Sequence, residues 1–172
     1  MGIGLSKYSI EFCIAVGLLF YLSTTSSHGE EIKKLNLDDA GTLATTITTD
    51  RRVKSEGQGS IRISTSWPTT ICLGEMSGIE VDDTVLVCQA RVRSQKLEGF
   101  AFLEMWCQVG GKQYFSRGLN PTVQGTSDCK SLETRFMLQI GQKAEKATLN
   151  IVMNGKGTVW VDEAVLLTQP LQ

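Results

Sequence analysis

The chain has 172 residues, enough for one domain and a short additional segment. Lys and Arg total 17 against 18 Asp and Glu, a formal charge of -1. No basic block stands out, which argues against nucleic acid as a partner, and 17 glycines against 3 prolines suit ordered strands with many turns.

The chain opens as a targeting segment. A short start with Lys7 precedes the uninterrupted apolar run "FCIAVGLLFYL", and "STTSSHGEE" follows with small polar residues. This is the order of a secretory signal, with cleavage expected near Ser27. The apolar run is about half the roughly 20 residues a membrane-spanning helix needs. Glu11 beside the run weakens the start, so residues 1–29 read as a signal peptide or an uncleaved N-terminal anchor. The chain is accordingly expected to be secreted, periplasmic or on the cell surface. Cys13 lacks the small residues that a lipid-anchor cleavage site requires before it.

Residues 30–54 are mixed and polar, with "TLATTITTD" as a candidate edge strand. Residues 55–170 are expected to form one domain; from about Ser60 the pattern turns to period two, with strands expected over 60–64, 70–73, 85–93, 99–109, 112–118, 134–140, 147–154 and 158–167. The clusters "GEMSG", "SQKLEG", "GG", "GTSDCKS", "GQKAEK" and "NGKG" read as the turns between them. No long helical stripe occurs. The expected fold is all-β, an antiparallel β-sandwich.

Successive side chains of a strand point to opposite faces. One face carries Leu86, Cys88, Ala90 and Val92, then Ala101, Leu103, Met105, Cys107 and Val109; Phe136, Leu138 and Ile140 and Leu149, Ile151 and Met153 complete the expected core. Trp160 shares a face with Asp162, Ala164 and Leu166, and Arg91 and Arg93 lie on a solvated face. Four cysteines follow the targeting segment, and they allow three pairings. Cys88 and Cys107 read as buried free thiols. No C-x-x-C pair and no nearby histidine suggest zinc.

Gly110-Gly111 sets a two-residue hairpin. Trp106 then faces Phe115, Glu104 faces Arg117 and Gln108 faces Gln113. Such pairs each contribute roughly 0.2–1 kcal/mol. The second face of the hairpin is therefore an ordered set of rings and polar groups that a buried core does not require. Phe102 and Asn154 share that face.

The segments "GSIRIST", "VLVCQARVRS", "GFAFLEMWCQVGGKQYFSRGL" and "KATLNIVMNGKGTVWVDEAVLL" resemble a carbohydrate-binding module of the galactose-binding-like jelly-roll superfamily, of the type that accompanies xylanases and cellulases. The resemblance implies a jelly roll over about residues 55–167 and a secreted, non-catalytic binding role toward a polysaccharide or glycan. It also implies a structural calcium with Asp162 as one ligand. Calcium takes roughly six to eight oxygens, and Asp50 and Glu56 are further candidates.

Sugars stack their C–H faces on aromatic rings and need amide, carboxylate and guanidinium partners for their hydroxyls. Glu104, Trp106, Gln108, Gln113, Phe115 and Arg117 form the expected ligand-binding set. The same rings would equally serve as packing under a loop or under the N-terminal segment. Trp67, before Pro68, is a second candidate stacking ring. A structural or adhesive domain contacting a cell-surface protein is the alternative. A small glycan-active enzyme is weaker, because glycosidases need two carboxylates about 5–9.5 Å apart and Glu104 has no evident second acid. The sole histidine, His28, falls in the targeting segment, which argues against a Ser-His-Asp hydrolase.

Overall fold

In the computed structural model the described residues are 30–34, 47–55, 57–79, 81 and 83–171. Residues 1–29 with His28, on which the expected signal peptide or anchor falls, the first part of "TLATTITTD" and Glu56 lie outside them. The described residues form eight strands: β1 (Glu30–Lys34), β2 (Ile47–Asp50), β3 (Ser60–Thr65), β4 (Thr69–Ile79), β5 (Thr84–Val109), β6 (Lys112–Arg117), β7 (Val123–Leu138) and β8 (Ala144–Pro170).

The frame is a long antiparallel ribbon of β5 and β8, paired from Thr84↔Pro170 to Val109↔Ala144. β7 flanks β5 from Thr84 to Ala101, and β6 flanks its last part. β1 and β3 pair with the second half of β8, β4 with its first half, and β2 adds to β3. Leu86, Cys88, Ala90 and Val92 from one half of β5 and Ala101, Leu103, Met105 and Cys107 from the other enter one core with Leu149, Ile151, Met153, Val159 and Val161 of β8. The two halves of the ribbon thus supply facing layers of an antiparallel jelly-roll sandwich.

The ribbon changes register between Gln95 and Glu98, where "SQKLEG" and "NGKG" stand opposite each other. These clusters were expected to be turns; the strands instead run through them. Gly155 explains why. A Cβ there would lie 1.6 Å from the Glu98 carbonyl oxygen, so only glycine lets the two backbones approach. "GTSDCKS" lies within β7 and the "GEMSG" residues within β4, so those two clusters also extend strands rather than end them.

Two further expectations change. Ile140 is 82 % exposed, because β7 ends at Leu138 and the chain leaves the core there. Trp160 and Asp162 share an outer face, but Ala164 and Leu166 lie in the core. An irregularity opposite Gln89 and Arg91, with Glu163 at φ 50°, inserts an extra residue into β8 and inverts the alternation. The polar N-terminal segment contributes β1 and β2 to the same sheet. Cys88 and Cys107 are buried free thiols, Cys72 is an exposed one and Cys129 a half-buried one.

Candidate functional site

The hairpin forms in the expected register at every pair, Val109↔Lys112 through Glu104↔Arg117. Gly110 and Gly111 adopt φ 57° and 72°, the left-handed geometry such a two-residue turn requires. β8 and β4 continue the face, so rows run across four strands. One row is Arg117, Glu104, Asn150 and Cys72; the next is Phe115, Trp106, Thr148 and Glu75.

Glu104 anchors this face. Its side chain is only 7 % exposed. Oε1 accepts the Trp106 indole Nε1–H at 2.7 Å and Oε2 accepts Arg117 Nε–H at 2.8 Å. The Trp106 and Phe115 ring centroids lie 5.1 Å apart at 38°, and the Arg117 guanidinium stands 4.8 Å from the Phe115 centroid. Within this cluster the carboxylate fixes two partners and each partner braces Phe115. At the face's edge Lys146 pairs with Glu75 at 2.8 Å, and the ammonium pulls that carboxyl below its usual range.

The structure therefore brings all six expected binding residues onto one face but gives them different access. Phe115, Gln113 and Arg117 are exposed, Trp106 and Gln108 are half-buried, and Glu104 is buried. Beside them Phe102, Arg117, Val152, Asn154, Pro68 and Thr70 line a cleft of about 340 Å³. Trp67, just before Pro68, is 67 % exposed. The cleft itself offers the Arg117 guanidinium and the Asn154 amide beside apolar Phe102 and Val152, and the exposed Phe115 ring stands next to Arg117, which is equipment for holding a polar ligand with apolar faces.

Asp162 sits on the other side of the sandwich. Its Oδ2 accepts the Ser55 backbone N–H at 2.5 Å and its Oδ1 that of Glu163 at 2.9 Å. Asp50 is likewise engaged, accepting Arg52 N–H, Val53 N–H and the Trp160 indole at 2.9 Å. That indole is the main reason the Asp50 carboxyl lies below its ordinary range. Among the described residues no group of three or more His, Cys, Asp or Glu side chains converges. Arg52, Lys54, Arg91 and Arg93 line the cleft beside Asp162, and Glu56, the third candidate for calcium, lies outside the described residues. Sequence reasoning missed this cleft: Arg93 is exposed and Arg91 half-buried, but alternation alone does not bring them together with Arg52 and Lys54, which lie outside any periodic pattern.

No family model matches the chain, and no curated protein matches it. Its fold is nevertheless similar to solved structures. The CBM22-1 xylan-binding domain from Paenibacillus barcinonensis Xyn10C superposes with a TM-score of 0.56 at 12 % identity, covering 86 % of this chain and 99 % of that one. A C-terminal family 22 carbohydrate-binding module of Clostridium thermocellum Xyn10B gives 0.53 at 11 %, covering 82 % and 96 %. A family 16 carbohydrate-binding module gives 0.52 at 8 %, covering 74 % and 89 %. The chain has the jelly-roll β-sandwich fold that these carbohydrate-binding modules share.

Proposed function

We propose that this protein is an exported, non-catalytic carbohydrate-binding module that holds a polysaccharide or glycan against the outer face of β6, β5, β8 and β4. The carrying observation is the Glu104 cluster, in which one buried carboxylate holds both the Trp106 indole and the Arg117 guanidinium in place beside exposed Phe115. Such preorganisation lowers the entropy lost when a ligand orders side chains. The exposed Phe115 and Trp67 rings serve as stacking platforms for sugar C–H faces. Arg117, Gln113 and Asn154 serve its hydroxyls. Glu104 acts through its neighbours as a positioning residue. The similarity of the fold to a domain described as xylan-binding supports xylan as the first ligand to try.

Affinity electrophoresis of the full chain through gels containing neutral polysaccharides tests this reading. Retardation that Trp106→Ala loses, with the variant still unfolding cooperatively, is expected. Equal mobility of the wild type in every polysaccharide gel and in the plain gel would reject the reading in favour of a protein partner.

A further inference from the structure

The opposite face of the sandwich carries a second cleft, of about 290 Å³, with different chemistry. Arg52 and Lys54 from the β2–β3 connection and Arg91 and Arg93 from β5 line it, against Asp128 and Asp162. Asp162 is buried and accepts backbone N–H groups, as described above. None of the four cations has a carboxylate oxygen within 4.0 Å among the described residues. Lys54 donates instead to the Gly57 carbonyl at 2.7 Å, and Arg91 is hydrogen-bonded to Cys129 and near Glu163 while its buried Nε has no acceptor.

One of these cations, Arg93, also lies over an aromatic ring. Trp160, 8 % exposed, forms part of the cleft wall and is tied to Asp50 through its indole N–H. The guanidinium carbons of Arg62 and Arg93 each stand 5.8 Å from its ring centroid. A guanidinium held over a ring by its charge keeps N–H groups available, and these match the two oxygens of a carboxylate or sulfate. Four cations against two acidic side chains leave the cleft with an excess of positive charge that attracts anions, and its size lies at the small end of ligand sites.

We propose that this cleft is a second binding site, specific for the anionic group of an acidic sugar: a uronate carboxylate or a sulfate ester. The anion preference rests on the arginines; the sugar as carrier rests on the carbohydrate-binding reading given above. The two sites lie on the two outer faces, so a neutral stretch and an acidic stretch of glycan would be held independently.

The test measures binding of the full chain to oligogalacturonate, to a sulfated dextran, to neutral xylan and to inorganic sulfate by titration calorimetry. Arg91→Gln/Arg93→Gln should weaken binding of at least one acidic polymer by about tenfold or more and leave neutral-polymer binding unchanged. Trp106→Ala should do the reverse, which separates failure of this site from failure of the neutral-glycan site. If the double variant does not fold, Arg52→Gln/Lys54→Gln on the exposed connection carries the same expectation. Whichever acidic polymer responds identifies carboxylate or sulfate as the group. Acidic polymers binding the variants as tightly as the wild type, or not binding the wild type, would overturn the proposal. Inorganic sulfate binding as tightly as the sugar anions would overturn the sugar assignment.

Discussion

Trp106 and Glu104 are two residues apart on β5 and joined by a 2.7 Å hydrogen bond from the indole Nε1–H to Oε1. Strand alternation puts both on one face, and the buried carboxylate turns the half-exposed indole into a fixed element. The arrangement makes Glu104 structural for the face. Glu104→Ala would orphan the indole N–H and release Arg117. A stability loss of about 1–3 kcal/mol in urea unfolding is expected, most of it from the indole, since the Arg117 pair is half solvated. Glu104→Gln, which keeps one carbonyl acceptor, should lose less.

The crossing of β5 and β8 yields a second prediction. Gly155→Ala places a methyl into the Glu98 carbonyl at φ 150° and should cost about 2–4 kcal/mol. At Gly78, with φ 68°, an added methyl meets nothing within 4 Å, so Gly78→Ala should cost only the backbone term of about 1–2 kcal/mol. Urea midpoints of the two variants distinguish clash from strain; equal losses would contradict the close approach.

Burial pushes the Cys88 and Cys107 thiols up to about 12 from an ordinary 9.0. In the unfolded chain they ionise near the ordinary value. Their contribution is therefore fully present below about pH 9 and is lost as pH rises from there toward about 12, by roughly 1.4 kcal/mol per pH unit per thiol. Urea midpoints compared between about pH 8 and pH 10 should fall more steeply for the wild type than for Cys88→Ala/Cys107→Ala. In the native state Cys72 should react with thiol reagents well before these two.

Calcium gives a fourth prediction. With the Asp162 and Asp50 oxygens committed to N–H donors and four cations beside Asp162, chelation should leave the melting temperature unchanged. A melting temperature that falls in EDTA and recovers on adding calcium would contradict this account of the cleft.

Much of this face was legible in the sequence. The Gly110-Gly111 turn fixed every pair of the hairpin, because two left-handed glycines determine register and alternation then determines faces. The strand boundaries were not legible where bulges intervene. Lys96 and Glu163 take positive φ without being glycine, so "SQKLEG" looked like a turn and the face of Ala164 looked continuous with that of Trp160. The depth of Glu104 was equally hidden. Alternation assigns a side, but burial there comes from Trp106 and Arg117 closing over the carboxylate. The basic cleft depends on a β2–β3 connection packing against β5, a tertiary contact with no local signal.

The measurement that tests the central claim most directly is a binding isotherm of soluble xylan with the full chain and with Phe115→Ala. Phe115 is 51 % exposed, so its removal probes a contact surface with little effect on the fold. The account expects saturable binding that weakens about tenfold or more in the variant, with stability lowered by no more than the roughly 1 kcal/mol of the lost ring pair. Saturable binding of equal affinity in the two proteins would place the ligand elsewhere and contradict the assignment of this face.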